Sequence, residues 1–155
     1  MYDWISNKGY PTLKHKQFIF TISPLRHLKD GLHENQISKA ALLLTVDEIC
    51  KRFGNAHYFP AFEILLDELR DYRFYKEDMI HPTEQAVRYI WERFVSFAIA
   101  ESELPAMKQA SELKQMLQHK VFFPESEAFL KFEALKTEKL NLLKEKFPKL
   151  TIENL

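Results

Sequence analysis

Two short apolar runs, Gln17–Ser23 and Ala56–Phe59, each stand in front of a helical pattern, and that order constrains the fold more than any other feature. The first run is rich in Phe, Ile and Thr and stops at Pro24, which suits a buried strand. Pro24–Glu34 reads as a loop, with Asp30-Gly31 as a turn signal and Asn35 as the cap of the next helix. That helix runs to about Phe53, where Gly54-Asn55 supplies a stop. Its apolar positions, Ile37, Ala40, Ala41, Leu42, Leu44, Val46, Ile49, Cys50 and Phe53, form a face broad enough to predict substantial burial. After the second strand, Pro60 opens a helix carrying Phe62, Leu65, Leu66 and Leu69. Strand, helix, strand, helix predicts an α/β fold whose strands pair in parallel.

The remainder is helical. Pro82 starts a periodic stretch bearing Ala86, Val87, Ile90, Trp91, Phe94, Val95 and Ala98, and a break falls near Ser102–Pro105. Two further helices are predicted over about 105–119 and 126–147, separated by Val121-Phe122-Phe123-Pro124. An antiparallel helical hairpin is the simplest arrangement for them, either as a structural cap or as a self-association surface. The organisation expected is an α/β domain over 1–101 and a helical extension over 102–155.

Composition removes several function classes. Lys plus Arg and Asp plus Glu are balanced at 22 each, so the basic footprint of a nucleic-acid or anionic-membrane binder is missing. Cys50 is the single cysteine, which leaves no disulfide framework and no Cys cluster for zinc; it reads as a small core residue. No apolar run reaches the roughly 20 residues that span a bilayer. The start Met1-Tyr2-Asp3-Trp4 lacks signal-peptide order, so the residues given read as soluble and cytoplasmic, a reading that a segment upstream of Met1 would change. Only three glycines occur, Gly9, Gly31 and Gly54, too scattered to cradle a phosphate, and no cofactor is implied.

Chemistry concentrates between the second and third helices, in Asp71–Pro82 (DYRFYKEDMIHP). A carboxylate three residues before a histidine, Asp78 and His81, can accept a hydrogen bond from the imidazole Nδ1–H and leave Nε2 as a base. Spacing alone favours a structural histidine, since chance D-x-x-H quartets are common and a lone histidine in a helix cap is usually structural. Immediately after the first strand, Ser23, Arg26 and His27 emerge at a strand's carboxyl end, where ligands bind in open α/β sheets. They either donate to a developing oxyanion or play structural parts, with Arg26 paired to Asp30 and Ser23 merely ending the strand. Glu63 and Asp67, four apart on one helical face, are placed to pair with Arg70, Arg73 or Arg26 in a buried network under the loop. No ligand spacing accompanies these carboxylates, so no metal site is expected.

Several ordered blocks carry a resemblance. They are Thr21-Ile22-Ser23-Pro24-Leu25-Arg26-His27-Leu28-Lys29-Asp30-Gly31, Asn35-Gln36-Ile37-Ser38-Lys39-Ala40 and Tyr58-Phe59-Pro60-Ala61-Phe62-Glu63. Asp67-Glu68-Leu69-Arg70-Asp71-Tyr72-Arg73-Phe74-Tyr75 and Asp78-Met79-Ile80-His81-Pro82 follow. Together, over about residues 17–100, they resemble the GSCFA family, which looks like a branch of the SGNH or GDSL hydrolases. The resemblance implies a partial three-layer α/β/α fold with few parallel strands and an esterase-class activity; the C-terminal helical hairpin read from periodicity lies beyond it. It implies Asp78 as the orienting carboxylate and His81 as the base; Ser23, Arg26 and His27, at the strand's carboxyl end, are the expected support for substrate or oxyanion.

The Gly-Ser-Cys-Phe-Ala segment that names the family, and would hold its nucleophile, does not occur in these 155 residues. Neither Cys50 nor Ser23 is promoted to replace it. The expectation is therefore the C-terminal part of a domain, inactive alone, arising from a truncated gene, a mis-set start, an expressed fragment or a split domain. The parent would act on a small ester or acylated carbohydrate; this part would associate with itself or with a completing chain. The competing expectation is a non-catalytic helical interaction module.

Overall fold

The structure, a computed structural model, describes residues 15–29, 31–120 and 125–148. Asp30, expected opposite Arg26, and the Val121–Pro124 connection lie outside the described residues. The chain divides into two compact units, Met1–Ala98 and Ile99–Leu155. Among the described residues no helix is long and apolar enough to cross a membrane.

In the first unit, β1 (Phe18–Thr21) and β2 (Ala56–Phe59) pair in parallel, in the register Phe18 with Ala56 through Thr21 with Phe59. A parallel pair requires a crossover, and α1 (Leu32–Arg52) provides it. The Phe18 N–H donates to the Asn55 carbonyl at 2.8 Å and the Asn55 amide reaches the Lys16 carbonyl at 2.9 Å, which tie the start of the sheet. The α/β order expected from the sequence is present, in a helix-rich chain with two strands among the described residues.

Two expectations for α1 are corrected. The helix begins at Leu32, with Gly31 before it at φ 95°, a left-handed conformation that suits glycine. Asn35 therefore lies inside the first turn, buried, and its side-chain oxygen accepts the His27 N–H at 2.7 Å. A side chain occupied in holding the preceding loop is not available to cap the helix. The broad apolar face is also largely uncovered: Ile49 is buried, but Ile37 is 53% and Leu44 72% exposed. A 21-residue helix is about 32 Å long, whereas a four-residue strand covers about 13 Å, so two short strands cannot shield it.

Ile37 and Leu44, two turns apart, lie on one exposed stripe of α1. Light scattering at micromolar concentration is therefore expected to report self-association, and an Ile37→Glu/Leu44→Glu variant to shift the population toward monomer. A wild-type monomer with a sharp unfolding transition would contradict this.

After β2, α2 (Ala61–Glu63) widens directly into a π-helical turn over Ile64–Glu68, where the Leu69 N–H donates to the Ile64 carbonyl at 2.9 Å. This element supplies the heart of the unit. Leu65, Leu69, Tyr75 and Ala86 form one buried cluster, and Phe59, Ala61 and Ile64 another, with Tyr89 and Ile90 packed against both. Phe94 meets Phe59 edge-on at 5.1 Å and 81°. α3 (Glu84–Ala98) starts two residues after Pro82, because Thr83 fills the capping role, its hydroxyl accepting the Ala86 N–H at 3.4 Å.

The second unit contains α4 (Leu104–Gln118) and α5 (Glu127–Lys146). Lys139 bonds Glu112 at 2.6 Å and the His119 and Phe132 rings lie 5.2 Å apart. Advancing seven residues on one side retreats seven on the other, so the pair is antiparallel, as the hairpin reading predicts. Ala106, Leu113 and Leu143 are buried in this unit, and Ser126 caps α5 through the Phe129 N–H at 3.2 Å.

Candidate active site

The loop from Asp71 to Thr83 is closed by its own backbone. Asp71 caps a single 3-10 turn, Tyr72–Phe74, by accepting the Arg73 N–H at 2.9 Å. The Thr83 N–H then donates to the Phe74 carbonyl and the Lys76 N–H to the His81 carbonyl, both at 2.8 Å, on either side of an antiparallel bridge between Tyr75 and Pro82. Proline suits the position, since both bonds of the bridge are made by its neighbours His81 and Thr83 and none needs an N–H from Pro82. Lys76–His81 becomes a tight tip, with the Met79 N–H donating to the Lys76 carbonyl at 2.9 Å.

At that tip Met79 has φ 58°, a left-handed conformation that costs a non-glycine residue about 1 kcal/mol or more. The turn it makes brings two successive N–H groups onto one carboxylate. Asp78 Oδ1 accepts from Ile80 N–H at 2.9 Å and His81 N–H at 3.0 Å, while Oδ2 lies 2.6 Å from His81 Nδ1. These bonds, the His81 backbone N–H first, then Ile80 and the imidazole, hold the Asp78 carboxyl down at about 2. Asp78 is thus ionised near neutrality and can only accept, so Nδ1 carries the proton. In the neutral ring Nε2 is then an acceptor, on a side chain 54% exposed.

The sign of the pH dependence follows. Because folding lowers the Asp78 pKa, its contribution is complete above the ordinary carboxylate range near ~3.9 and fades as pH falls toward about 2. In an NMR titration begun below the ordinary histidine range near ~6.5, the Ile80 and His81 amide signals are expected to hold position from pH 5 to 4 and to move together between 4 and 2. Movement centred on the ordinary carboxylate range would refute the bonding described.

Arg26 comes to this loop from the end of β1. Its Nη1 donates to the Met79 carbonyl at 3.0 Å and its guanidinium stacks 4.2 Å from the Tyr75 ring centre. Ser23 and His27 are fastened toward α1: the Ser23 carbonyl accepts from Lys39 Nζ at 2.5 Å, the Ser23 hydroxyl accepts the Leu25 N–H at 3.3 Å, and the His27 N–H is held by Asn35. Lys39 is buried beside the Phe62 ring, and burial lowers its pKa.

Of the pairings expected among Glu63, Asp67, Arg70 and Arg73, Asp67 with Arg70 is present but exposed, and no buried network joins the four among the described residues. Glu63 accepts the Tyr58 hydroxyl at 2.8 Å, which together with burial, the larger cause, raises the tyrosine pKa. Asp67 meets Arg70 at 3.7 Å and Asp71 meets Arg73 at 3.6 Å, as separate pairs with more than half of each side chain exposed. A different cluster occurs instead, in which Tyr89 and Arg93 of α3 both donate to Glu68.

Asn35, Lys39 and Tyr75 were not singled out as site residues. Asn35 and Lys39 are polar positions four apart on a helix otherwise rich in apolar residues, a signal that they face a common polar target. No curated protein and no solved structure matches the chain. The sequence matches the GSCFA family over residues 8–94, which takes in β1, α1, β2 and the whole Asp-His loop, and the chain belongs to that family.

Proposed function

We propose that these residues are the acid–base end of an SGNH-type serine esterase or acyl hydrolase with a three-layer α/β/α parent domain. The observation that carries this reading is the 2.6 Å contact of Asp78 with His81 Nδ1, on an exposed tip that leaves Nε2 open. A serine hydroxyl from a segment beyond these residues, or from another chain, attacks the ester carbonyl as Nε2 takes its proton. The alcohol departs with that proton, and water then releases the acyl group by the same base. Arg26 keeps the tip in place through Met79, and Ser23 and His27, held toward α1, serve as support for substrate or oxyanion. The substrate class is a small ester or acylated carbohydrate.

A second reading, a non-catalytic half-domain that associates with itself or a partner, is favoured by the exposed apolar stripe of α1. One assay separates the two. Hydrolysis of an activated acetyl ester by the chain alone should equal that of its His81→Ala variant, and joining a Gly-Ser-Cys-Phe-Ala segment from the family should produce turnover. Turnover by the chain alone that Ser23→Ala abolishes would overturn the assignment of roles, and no turnover in the joined protein would favour the second reading.

A further inference from the structure

A cleft of about 300 Å³ opens beside the Asp-His loop, and of its walls only Arg26 takes part in the chemistry proposed above. Arg26, Arg70 and Tyr75 line it, together with the apolar Leu65 and Leu66 and the ring of Tyr72. Tyr75 is 8% exposed, and its hydroxyl is buried with no hydrogen-bond partner among the described residues. A buried hydroxyl left without a partner destabilises the fold, so a native protein that keeps one gives reason to look for a ligand.

The charges of the wall have a direction. Arg26 gives one N–H to Met79 and retains others in its fork, and Arg70 holds Asp67 only loosely, at 3.7 Å. Among the described residues Asp71 is the one carboxylate on the wall, and it is turned to Arg73, by the Arg73 N–H at 2.9 Å and the guanidinium at 3.6 Å. Two guanidinium groups, one unsatisfied hydroxyl donor and an apolar wall suit a planar two-oxygen anion carried on an apolar tail. We propose that this cleft binds a small aliphatic carboxylate, with its carboxylate between Arg26 and Arg70, its second oxygen accepting from the Tyr75 hydroxyl after a small shift of the ring, and its tail on Leu65 and Leu66. The proposal goes beyond the hydrolase reading and does not depend on it, because its test reads binding alone.

Hexanoate, its neutral isostere hexanamide, and acetate are titrated into the 155-residue chain while backbone amide signals are followed by NMR. Hexanoate is expected to saturate shifts at Leu65, Leu66 and Tyr72, with hexanamide at least about tenfold weaker for want of the charge-assisted bonds. Acetate, lacking the tail, should also bind more weakly. Tyr75→Phe should weaken hexanoate about fivefold while leaving the unfolding midpoint equal or higher, since it removes an unsatisfied buried hydroxyl. Arg70→Gln, at an exposed position that folding does not need, should weaken it about tenfold. Equal binding of hexanoate and hexanamide, or hexanoate affinity unchanged in Arg70→Gln, would overturn the proposal.

Discussion

In a protein that joins these residues to a Gly-Ser-Cys-Phe-Ala segment, His81→Ala is expected to lower kcat on an activated acetyl ester by about three to four orders of magnitude, with KM little changed. The imidazole would act only as the proton moves, so its loss falls on the transition state and not on substrate binding. Asp78→Asn is the sharper variant. Its Oδ1 can still accept the Ile80 and His81 N–H groups, so the tip stays folded, but its NH₂ now faces Nδ1 where a carboxylate oxygen stood. Nδ1 must then accept, the proton moves to Nε2, and the base is lost with the geometry intact. A comparable fall in kcat is expected, with a tautomer change visible in the ¹⁵N shifts of His81. Retention of parental kcat by either variant would remove the pair from the chemistry.

Leu65→Ala should destabilise the first unit by about 2–5 kcal/mol, read from urea unfolding at constant m-value. Leu65 is 1% exposed and packs with Leu69, Tyr75 and Ala86, so truncation leaves a cavity that these neighbours cannot readily fill. Small domains have only about 5–15 kcal/mol in total, so a large share of the stability rests on this one side chain. Val87→Ala, at a position 52% exposed and away from the α1 stripe, should stay within about 0.5 kcal/mol and serves as the control. The effect reaches the candidate site, because Tyr75 both belongs to this cluster and pairs with Pro82 at the base of the tip. In Leu65→Ala the Ile80 and His81 amides are expected to lose hydrogen-exchange protection before the rest of the unit. A cost below 1 kcal/mol would show that the cluster is not what holds the loop.

The extended runs that became β1 and β2, the helices α3, α4 and α5, and the Asp78–His81 spacing were all legible in the chain, because each depends on neighbours a few residues away. An Asp three positions before a His needs one turn to meet it, and the turn at Met79 supplies that locally. Helix starts were harder to place. Asn35 and Pro82 both carry the right side chains for a boundary, yet Asn35 is drawn to the His27 N–H and Pro82 to Tyr75, leaving Gly31 and Thr83 at the ends.

What the chain's order could not disclose is which distant groups meet. Arg26 is separated by 53 residues from the Met79 carbonyl that receives it, and Glu68 by 21 and 25 from Tyr89 and Arg93. No periodicity encodes such pairings; they exist because β1 and β2 lie side by side and α3 packs across the π turn. The same holds for burial. A helical pattern states which residues of α1 share a face, but whether water reaches Ile37 and Leu44 depends on what surface the rest of the fold can lay against them, and two strands of four residues are too short to cover a helix of 21.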